Sequence, residues 1–458
     1  MILTLLSCVS KNRVAKEYVE NLKRDDKTYT EAKETFVFFL FDGLSVQLTQ
    51  KLISENHIPN IKNFFLPYAS QFFVGRATFP SLTHPNISSI ITSSNIDKHP
   101  ILGNKIKLSD DIVDFTLPKN QKKLNELIKN PSIFTELSSQ KRRSLSIAPY
   151  YGDQATARYP LDLEMGLAYD KGDYRTVDSK LIDSLVSVLK NTRPESWPEF
   201  IFVHLVGLDG YEHASGEFSK DVINHAKFID TKLGKVFELL KDAANKGRDV
   251  GALITADHGM QNVQKYFNIE AVVATKIKTS KFINEGRFLT LNFTDNYSQA
   301  EKQAWAQWSA ALPGVEASVL NDNESLKIYS GNKSYTLRYQ AADCGSESQY
   351  ALSVENSEFL CPSKINLLTQ KFFYPYFATN LASFFNAPQY PDLLVLAQTG
   401  AYFSSHRSVV GAHGGMTPEE LFVPILTWNL IIHPSESITP TYKLLESLRA
   451  PRKPTNLH

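Results

Sequence analysis

The chain of 458 residues has only three cysteines, Cys8, Cys344 and Cys361. That number excludes a disulfide-dense scaffold, and their spacing is not that of a cysteine-built zinc site. No apolar run approaches the roughly 20 residues that a membrane-spanning helix needs. No charge of one sign dominates: 49 Lys and Arg against 48 Asp and Glu give a formal net charge of +1. Without a long basic run, binding to a nucleic-acid duplex is not expected. Repeats and low-complexity segments are lacking as well. What remains is an ordinary globular composition, 42% hydrophobic and 21% charged, on a chain long enough for a large core or for one core with an inserted subdomain.

The first residues, MILTLLSC, contain Leu5-Leu6-Ser7-Cys8, which resembles a bacterial lipobox, and the charged, polar stretch Lys11–Glu34 then reads as a tether. Against this, the apolar part is shorter than the usual h-region of roughly 7–15 residues, and no basic residue precedes it. The competing reading is a plain N-terminus with an incidental cysteine. If Cys8 carries a lipid anchor, Cys344 and Cys361 are left as an even pair in one loop-rich segment, as an oxidising compartment produces. Otherwise they are two unrelated thiols. The first option implies an extracytoplasmic protein, periplasmic or membrane-anchored.

The stretch Phe36–Ser45, FVFFLFDGLS, organises the rest. Six apolar residues in a row suit a strand buried on both faces, as in a parallel sheet. Glu199–Val206 (EFIFVHLV) and Val250–Ala256 (VGALITA) are of the same type. Helices are expected at Val46–Glu55, Ile58–Phe65, Val177–Leu189 and Asp221–Asn245, and further strands at Gln71–Gly75, Ser144–Ile147, Leu393–Ala397 and Phe422–Trp428. Arg76–Asn86 reads as a polar turn, with a helix taking over at Ile87. This alternation predicts an α/β three-layer sandwich, a mostly parallel sheet with helices on both faces. The segment Gly286–Gln340 has the texture of a small α+β insertion. The organisation expected is a tether at 1–34, a core at 35–275 and 390–433, an inserted subdomain at 276–389 and a polar tail at 434–458.

Three of the buried-type strands run into an aspartate: Asp42, Asp209 and Asp257. In open α/β sheets ligands bind beyond the carboxyl ends of the strands, so three such ends suggest a cation site. Asp257-His258-Gly259 offers two adjacent ligands of the types zinc accepts. Asp209-Gly-Tyr-Glu-His213 places two more four residues apart, and His413 sits between glycines in GAHGG, with His406 nearby as a rival. In FPSLTHPN, Thr83 lies about where a helix N-cap falls, with Pro85 in the first turn. A helix start stabilises an anion, and a hydroxyl there becomes a nucleophile if a metal lowers its pKa. Each motif alone has a plainer reading as a turn, an exposed histidine or an ordinary cap.

Together, FDG at Phe41–Gly43, FPSLTHPN at Phe79–Asn86, HPILGN at His99–Asn104, DGYEH at Asp209–His213, TADHGM at Thr255–Met260 and GAHGG at Gly411–Gly415 resemble the alkaline phosphatase superfamily, in particular its nucleotide pyrophosphatase/phosphodiesterase branch. The resemblance implies two divalent metal ions, usually Zn2+. Asp42, Asp257 and His258 would hold one with the Thr83 oxygen, and Asp209, His213 and His413 the other. Asn104 matches the residue that donates to a phosphoryl oxygen, assisted by backbone N–H groups near Thr83–His84. Two departures stand out: Glu212 where the family usually has Gly, and His99-Pro100-Ile101 where His-Gly-Ile is common.

The resemblance further implies a small phosphoester substrate, nucleotide-like in kind, attacked by Thr83 through a phospho-threonine intermediate. Phosphodiesterase or pyrophosphatase activity is expected, with a phosphomonoesterase or phosphonate hydrolase as alternatives. Arg158 and Lys105 are candidates for the extra positive charge a monoester requires, and Tyr150-Tyr151 for a stacking face. A non-catalytic relative of the fold is the remaining alternative, although every ligand position is filled.

Overall fold

A computed structural model describes residues 34–446, apart from 68–71, 110, 160–161, 278–279, 323–324, 343, 345–349, 356, 362–363, 365–373 and 431–437. Cys8, the expected tether and the last residues of the tail lie outside the described residues.

The first strand, β1 (Glu34–Phe41), is the middle of the molecule. The chain continues through α1 (Val46–Ser54), α2 (Pro59–Phe65), β2 (Phe73–Arg76) and α3 (Thr83–Thr92), then β3 (Ser144–Ile147), β4 (Ala157–Tyr159) and α4 (Tyr174–Asn191). Next come β5 (Phe200–Leu205), α5 (Gly207–Ser215), α6 (Lys220–Asn245) and β6 (Asp249–Thr255). β1 pairs in parallel with both β5 and β6. Its even residues Phe36, Phe38 and Leu40 join one core, its odd residues Val37, Phe39 and Phe41 the other. That is why six consecutive apolar residues are needed where a half-exposed strand would alternate. Each such side chain contributes about 1.5–3 kcal/mol on burial.

On the odd face lie α1, α2, α4 and α6, packed through Leu48, Phe64, Leu181 and Leu233 among others. On the even face lie α3 and the short helix Ile133–Ser139. The helix ends follow local chemistry. Ser45, Asp173 and Ser219 each cap the helix that follows them, accepting from Leu48, Thr176 and Val222 N–H respectively. The three-layer α/β expectation is thus realised.

Helix α3 departs from expectation by starting at Thr83 instead of Ile87. Pro85 is compatible with a first turn. Asn86 also satisfies the incoming loop: its Oδ1 accepts from Thr78 N–H at 2.7 Å, and its Nδ2 donates to the Pro80 and Leu82 carbonyls at 3.0 Å. What read as a polar turn is therefore tied down.

The second sheet is built from β7 (Ser280–Asn284), β8 (Phe288–Phe293), β9 (Val315–Asp322), β10 (Ser325–Ser330), β11 (Lys333–Ala341), β12 (Tyr350–Val354) and β13 (Leu393–Ala397). Their order is β7-β8-β13-β9-β10-β11-β12, with all pairings antiparallel. The strand Leu393–Ala397, expected in the main core, thus belongs here. A continuous apolar run reports burial on both faces, and this strand has α7 (Gln299–Ala310) on one side and α8 (Phe377–Asn386) on the other. Cys344 and Cys361 form a disulfide in this region. The last strands, β14 (Phe422–Trp428) and β15 (Thr439–Pro440), return to the main sheet, whose order is β15-β2-β14-β6-β1-β5-β3-β4. The described part of the tail is therefore not a loose end: Leu444 and Leu445 are buried against α3 in the even-face core.

One ion pair locks the second sheet to the first. Arg287, just before β8, is 1% exposed, and its guanidinium meets the fully buried Glu420 in two contacts of 2.8 and 3.2 Å. The Glu420 carboxylate also accepts from Gly415 N–H (2.9 Å) and from the Thr417 N–H and hydroxyl. Breaking a buried pair leaves a lone buried charge and costs about 3–5 kcal/mol. Arg287→Met and Glu420→Gln should each lower unfolding stability by that amount in thermal or denaturant melts. The double variant should cost clearly less than the two single losses added together.

Candidate active site

The register of the parallel strands assembles the site. Leu40 lies opposite His204 on one side and Thr255 on the other. Two residues further on, Asp42 and Asp257 leave the sheet side by side. Asp42 N–H donates to the Leu205 carbonyl, and Asp209 N–H donates back to the Asp42 carbonyl. Gly43, at φ +82°, turns the chain there with its Cα against Asp209, where a Cβ would meet the Asp209 Cα at 3.2 Å. Asp209 itself is not at a strand end. It sits in the first turn of α5, one helical turn before His213, which places both side chains on one face.

Six candidate ligand side chains and the Thr83 hydroxyl converge. Asp209 Oδ1 lies 3.3 Å from both His213 Nε2 and His413 Nε2, and those two nitrogens are 3.1 Å apart. His258 Nε2 lies 3.4 Å from Asp42 Oδ1, 3.3 Å from Asp257 Oδ2 and 3.2 Å from the Thr83 hydroxyl. The His258 and His413 rings stack at 3.6 Å. The nearby His406 is exposed, and its ring bonds its neighbour Ser405 instead of turning toward the cluster.

The histidines are held in one tautomer. Nδ1–H of His213 donates to the Gly411 carbonyl at 2.8 Å, that of His413 to the Ser81 carbonyl at 2.9 Å, and that of His258 to the Gly259 carbonyl at 3.1 Å. A carbonyl only accepts, so each Nε2 is left with a bare lone pair aimed inward. The carboxylates match this: Asp42 Oδ1, Asp209 Oδ1 and Asp257 Oδ2 are buried with no hydrogen-bond partner.

Titration directions follow from that crowding. Burial, then the charges of Asp257 and Asp209, push the Asp42 carboxyl well up, and burial likewise raises Asp257. Burial also opposes the charge on Asp209, but His213 and His413 outweigh it and hold its carboxyl down. Burial depresses His213 and His258, whereas Asp209 lifts His413 in spite of burial. Imidazole nitrogens and unpartnered carboxylate oxygens, buried except at the partly exposed Asp209 and His213, form a donor set that fits a divalent cation. Ligand atoms of Asp209, His213 and His413 lie within 4.8 Å of one another, as do those of Asp42, Asp209 and His258.

Thr83 opens α3, with Leu82 as the cap residue, so its hydroxyl stands at the positive end of a helix dipole. Asn104 reaches the same place. Its Oδ1 accepts from His84 N–H at 3.2 Å. That N–H, expected to face a substrate, is therefore engaged, and the Asn104 amide nitrogen is the group left to donate. Tyr151 is fully buried and hydrogen-bonded to His84 Nδ1 at 2.9 Å, and Tyr150 meets the His84 ring edge-on, so the pair packs and offers little stacking face. Arg158 pairs with Asp153.

Four contributors escaped the sequence reading. His204 Nε2 lies 2.9 Å from Asp42 Oδ2. The signal was available: a single polar residue in a run buried on both faces needs a partner. Ser81, quoted in its motif without a role, accepts from Gly414 N–H and donates to the Gly415 carbonyl, which shapes the His413 loop. Glu285, from the loop between β7 and β8, accepts Lys105 N–H at 2.6 Å beside Asn104. Its carboxyl is pushed up to about 7 by burial. Glu217 accepts from the Ser45 hydroxyl beneath the site.

The sequence model of the family described as type I phosphodiesterase / nucleotide pyrophosphatase matches residues 36–416. The chain belongs to this family. Among solved structures it is similar to phosphonoacetate hydrolase from Sinorhizobium meliloti 1021, in complexes with phosphonoformate and with phosphonoacetate. Each match has a TM-score of 0.59 at 14% identity and covers 92% of this chain and 97% of that one. This is a likeness of fold, that of the alkaline phosphatase superfamily. Among curated proteins it is similar to GPI ethanolamine phosphate transferase 1 of Neurospora crassa, 39% identical over 61 residues, and to that of Chaetomium globosum, 38% identical over 61 residues. Those matches take in 13% of this chain and 6% of either relative's length.

Glu285 gives a test of how the second sheet serves the site. Glu285→Ala removes the acceptor that holds the chain next to Asn104. It should lower kcat/KM for phosphoester turnover about tenfold, the scale of one hydrogen bond to a charged group. Glu285→Gln, which keeps an acceptor oxygen, should stay closer to the parent enzyme.

Proposed function

We propose that the protein is a metal-dependent phosphodiesterase, acting on small phosphodiesters or pyrophosphates through a phospho-threonine intermediate. The observation that carries this reading is the convergence of three bare imidazole nitrogens and three unpartnered carboxylate oxygens beside a threonine hydroxyl at a helix start.

Asp42, Asp257, His258 and the Thr83 oxygen would hold one divalent cation, and Asp209, His213 and His413 a second. Mixed nitrogen and oxygen donors suit zinc. When bound, such ions supply the positive charge that lowers the pKa of a hydroxyl and offsets charge on phosphoryl oxygens. Thr83 Oγ1 attacks phosphorus in line and the ester oxygen opposite it departs. Asn104 donates its amide N–H to a non-bridging oxygen, and the start of α3 adds its dipole. Water then attacks the phospho-threonine and restores the hydroxyl.

The family favours a diester over a monoester; of the two cations considered for a further charge, Arg158 is paired with Asp153, while Lys105 directly follows Asn104. The nucleotide-like character of the substrate is supported by the family alone, since Tyr151 is committed to packing. We also propose an extracytoplasmic location. The disulfide between Cys344 and Cys361 supports it, as does the lipobox-like stretch ending at Cys8. Among the described residues no helix is long and apolar enough to cross a membrane.

Thr83→Ala should reduce hydrolysis of bis-p-nitrophenyl phosphate by at least about a thousandfold. Its metal content, measured by mass spectrometry, should remain that of the parent. Near-normal turnover by this variant would remove Thr83 from the mechanism. Chelation should silence the parent enzyme and added zinc restore it, and the diester should be cleaved faster than p-nitrophenyl phosphate.

A further inference from the structure

Asp42 uses its two oxygens differently. Oδ2 is 2.9 Å from His204 Nε2, and Oδ1 has no hydrogen-bond partner and lies 3.4 Å from His258 Nε2. His204 is 0% exposed, in the only polar position of the FIFVHL strand. Its Nδ1 is also buried and has no partner. The single ring proton therefore belongs on Nε2, where Asp42 accepts it. A doubly protonated ring would bury a second N–H with no acceptor.

We propose that His204 is a positioning residue for the cation centre: its neutral Nε2–H fixes the Asp42 carboxylate so that Oδ1 alone is presented to the ion. The inference rests on the reading of Asp42 as a cation ligand. The choice of histidine follows from what the position demands. The donor must reach across one strand spacing from β5 to the end of β1 while its body stays in an apolar core lined by Phe202, whose ring centroid is 6.5 Å away. It must also leave the carboxylate its negative charge. A buried lysine or arginine would cancel that charge and weaken the attraction for a dication. A neutral imidazole donates a directed hydrogen bond and cancels nothing. The same arrangement orients ligands from outside other metal centres, and its loss there costs 10–100-fold in affinity.

The alternative is that His204 ligates the ion itself, since ligand atoms of Asp42, His204 and Asp257 also lie within 4.8 Å of one another. Substitutions separate the two. Zinc and cobalt(II) affinities of the full chain would be measured by competition with a chromophoric chelator, with metal stoichiometry and thermal melts of the metal-free protein alongside. His204→Phe keeps the volume and removes the donor. It should weaken the tighter or the weaker of the two binding steps by about 10–100-fold and leave the other within about threefold. His204→Gln, whose amide nitrogen can stand near Nε2, should hold both within about threefold. In an Asp42→Asn background, His204→Phe should have no further effect, which keeps the test sound if the single variant melts early. Unchanged affinity in His204→Phe overturns the proposal alone, and equal losses in the Phe and Gln variants overturn it in favour of direct ligation. A parent protein that binds no divalent cation overturns the reading of the centre as well.

Discussion

Three carboxylates packed into one buried space repel one another, and nothing in the local sequence favours bringing them together. Asp42, Asp209 and Asp257 are nonetheless held within a few ångströms of the same histidines. The cost is met by rigidity built elsewhere. β1, β5 and β6 are parallel neighbours in fixed register, buried on both faces, so their ends cannot separate without opening two cores. The arrangement is stable as a frame and unfavourable as a set of charges. That combination suits a cation site, because a divalent cation would offset the repulsion among the three carboxylates.

The histidines show the same division. Each spends Nδ1 on a carbonyl of a loop the fold already fixes: Gly411, Ser81 and Gly259. Those loops are held in turn by the second sheet. Arg287 pairs with Glu420, whose carboxylate grips Gly415 and Thr417 just after His413. Glu285, two residues earlier in the same connection, grips Lys105 beside Asn104. One short connection between β7 and β8 thus reaches two separate parts of the site. The second sheet is a structural partner of the centre.

Much of this was legible in the sequence, for physical reasons. FVFFLF suits a strand with two buried faces, and Asp-His-Gly after a similar run suits the sheet edge. Hydrophobic period located α4 and α6 to within a few residues. What escaped depends on tertiary pairing. Leu393–Ala397 announces burial but not which sheet receives it, and it pairs with β8 and β9. Helix α3 starts early because Asn86 satisfies a loop that otherwise looks like a turn. The engagement of His84 N–H by Asn104 depends on two segments meeting through space. The Leu444–Leu445 contact is of the same long-range kind.

Glu212 is one of the two positions at which the motifs depart from the family pattern, and its surroundings give the departure a meaning. Its side chain is fully buried, and neither carboxylate oxygen has a hydrogen-bond partner. Burial, then Glu217, Asp209 and Asp257, push its carboxyl well above the usual range. The space it occupies exists because residue 43 is glycine: a Cβ there would lie 2.5 Å from Glu212 Oε2. The two motifs are therefore sterically coupled, and a side chain at 43 would exclude Glu212 or displace it. Crowding of this kind favours the neutral acid, so Glu212 adds volume behind the three ligands without adding a fourth full charge to them. The departure from the family pattern is thus accommodated twice over, by the missing side chain at Gly43 and by the proton that the surroundings favour on Glu212 itself.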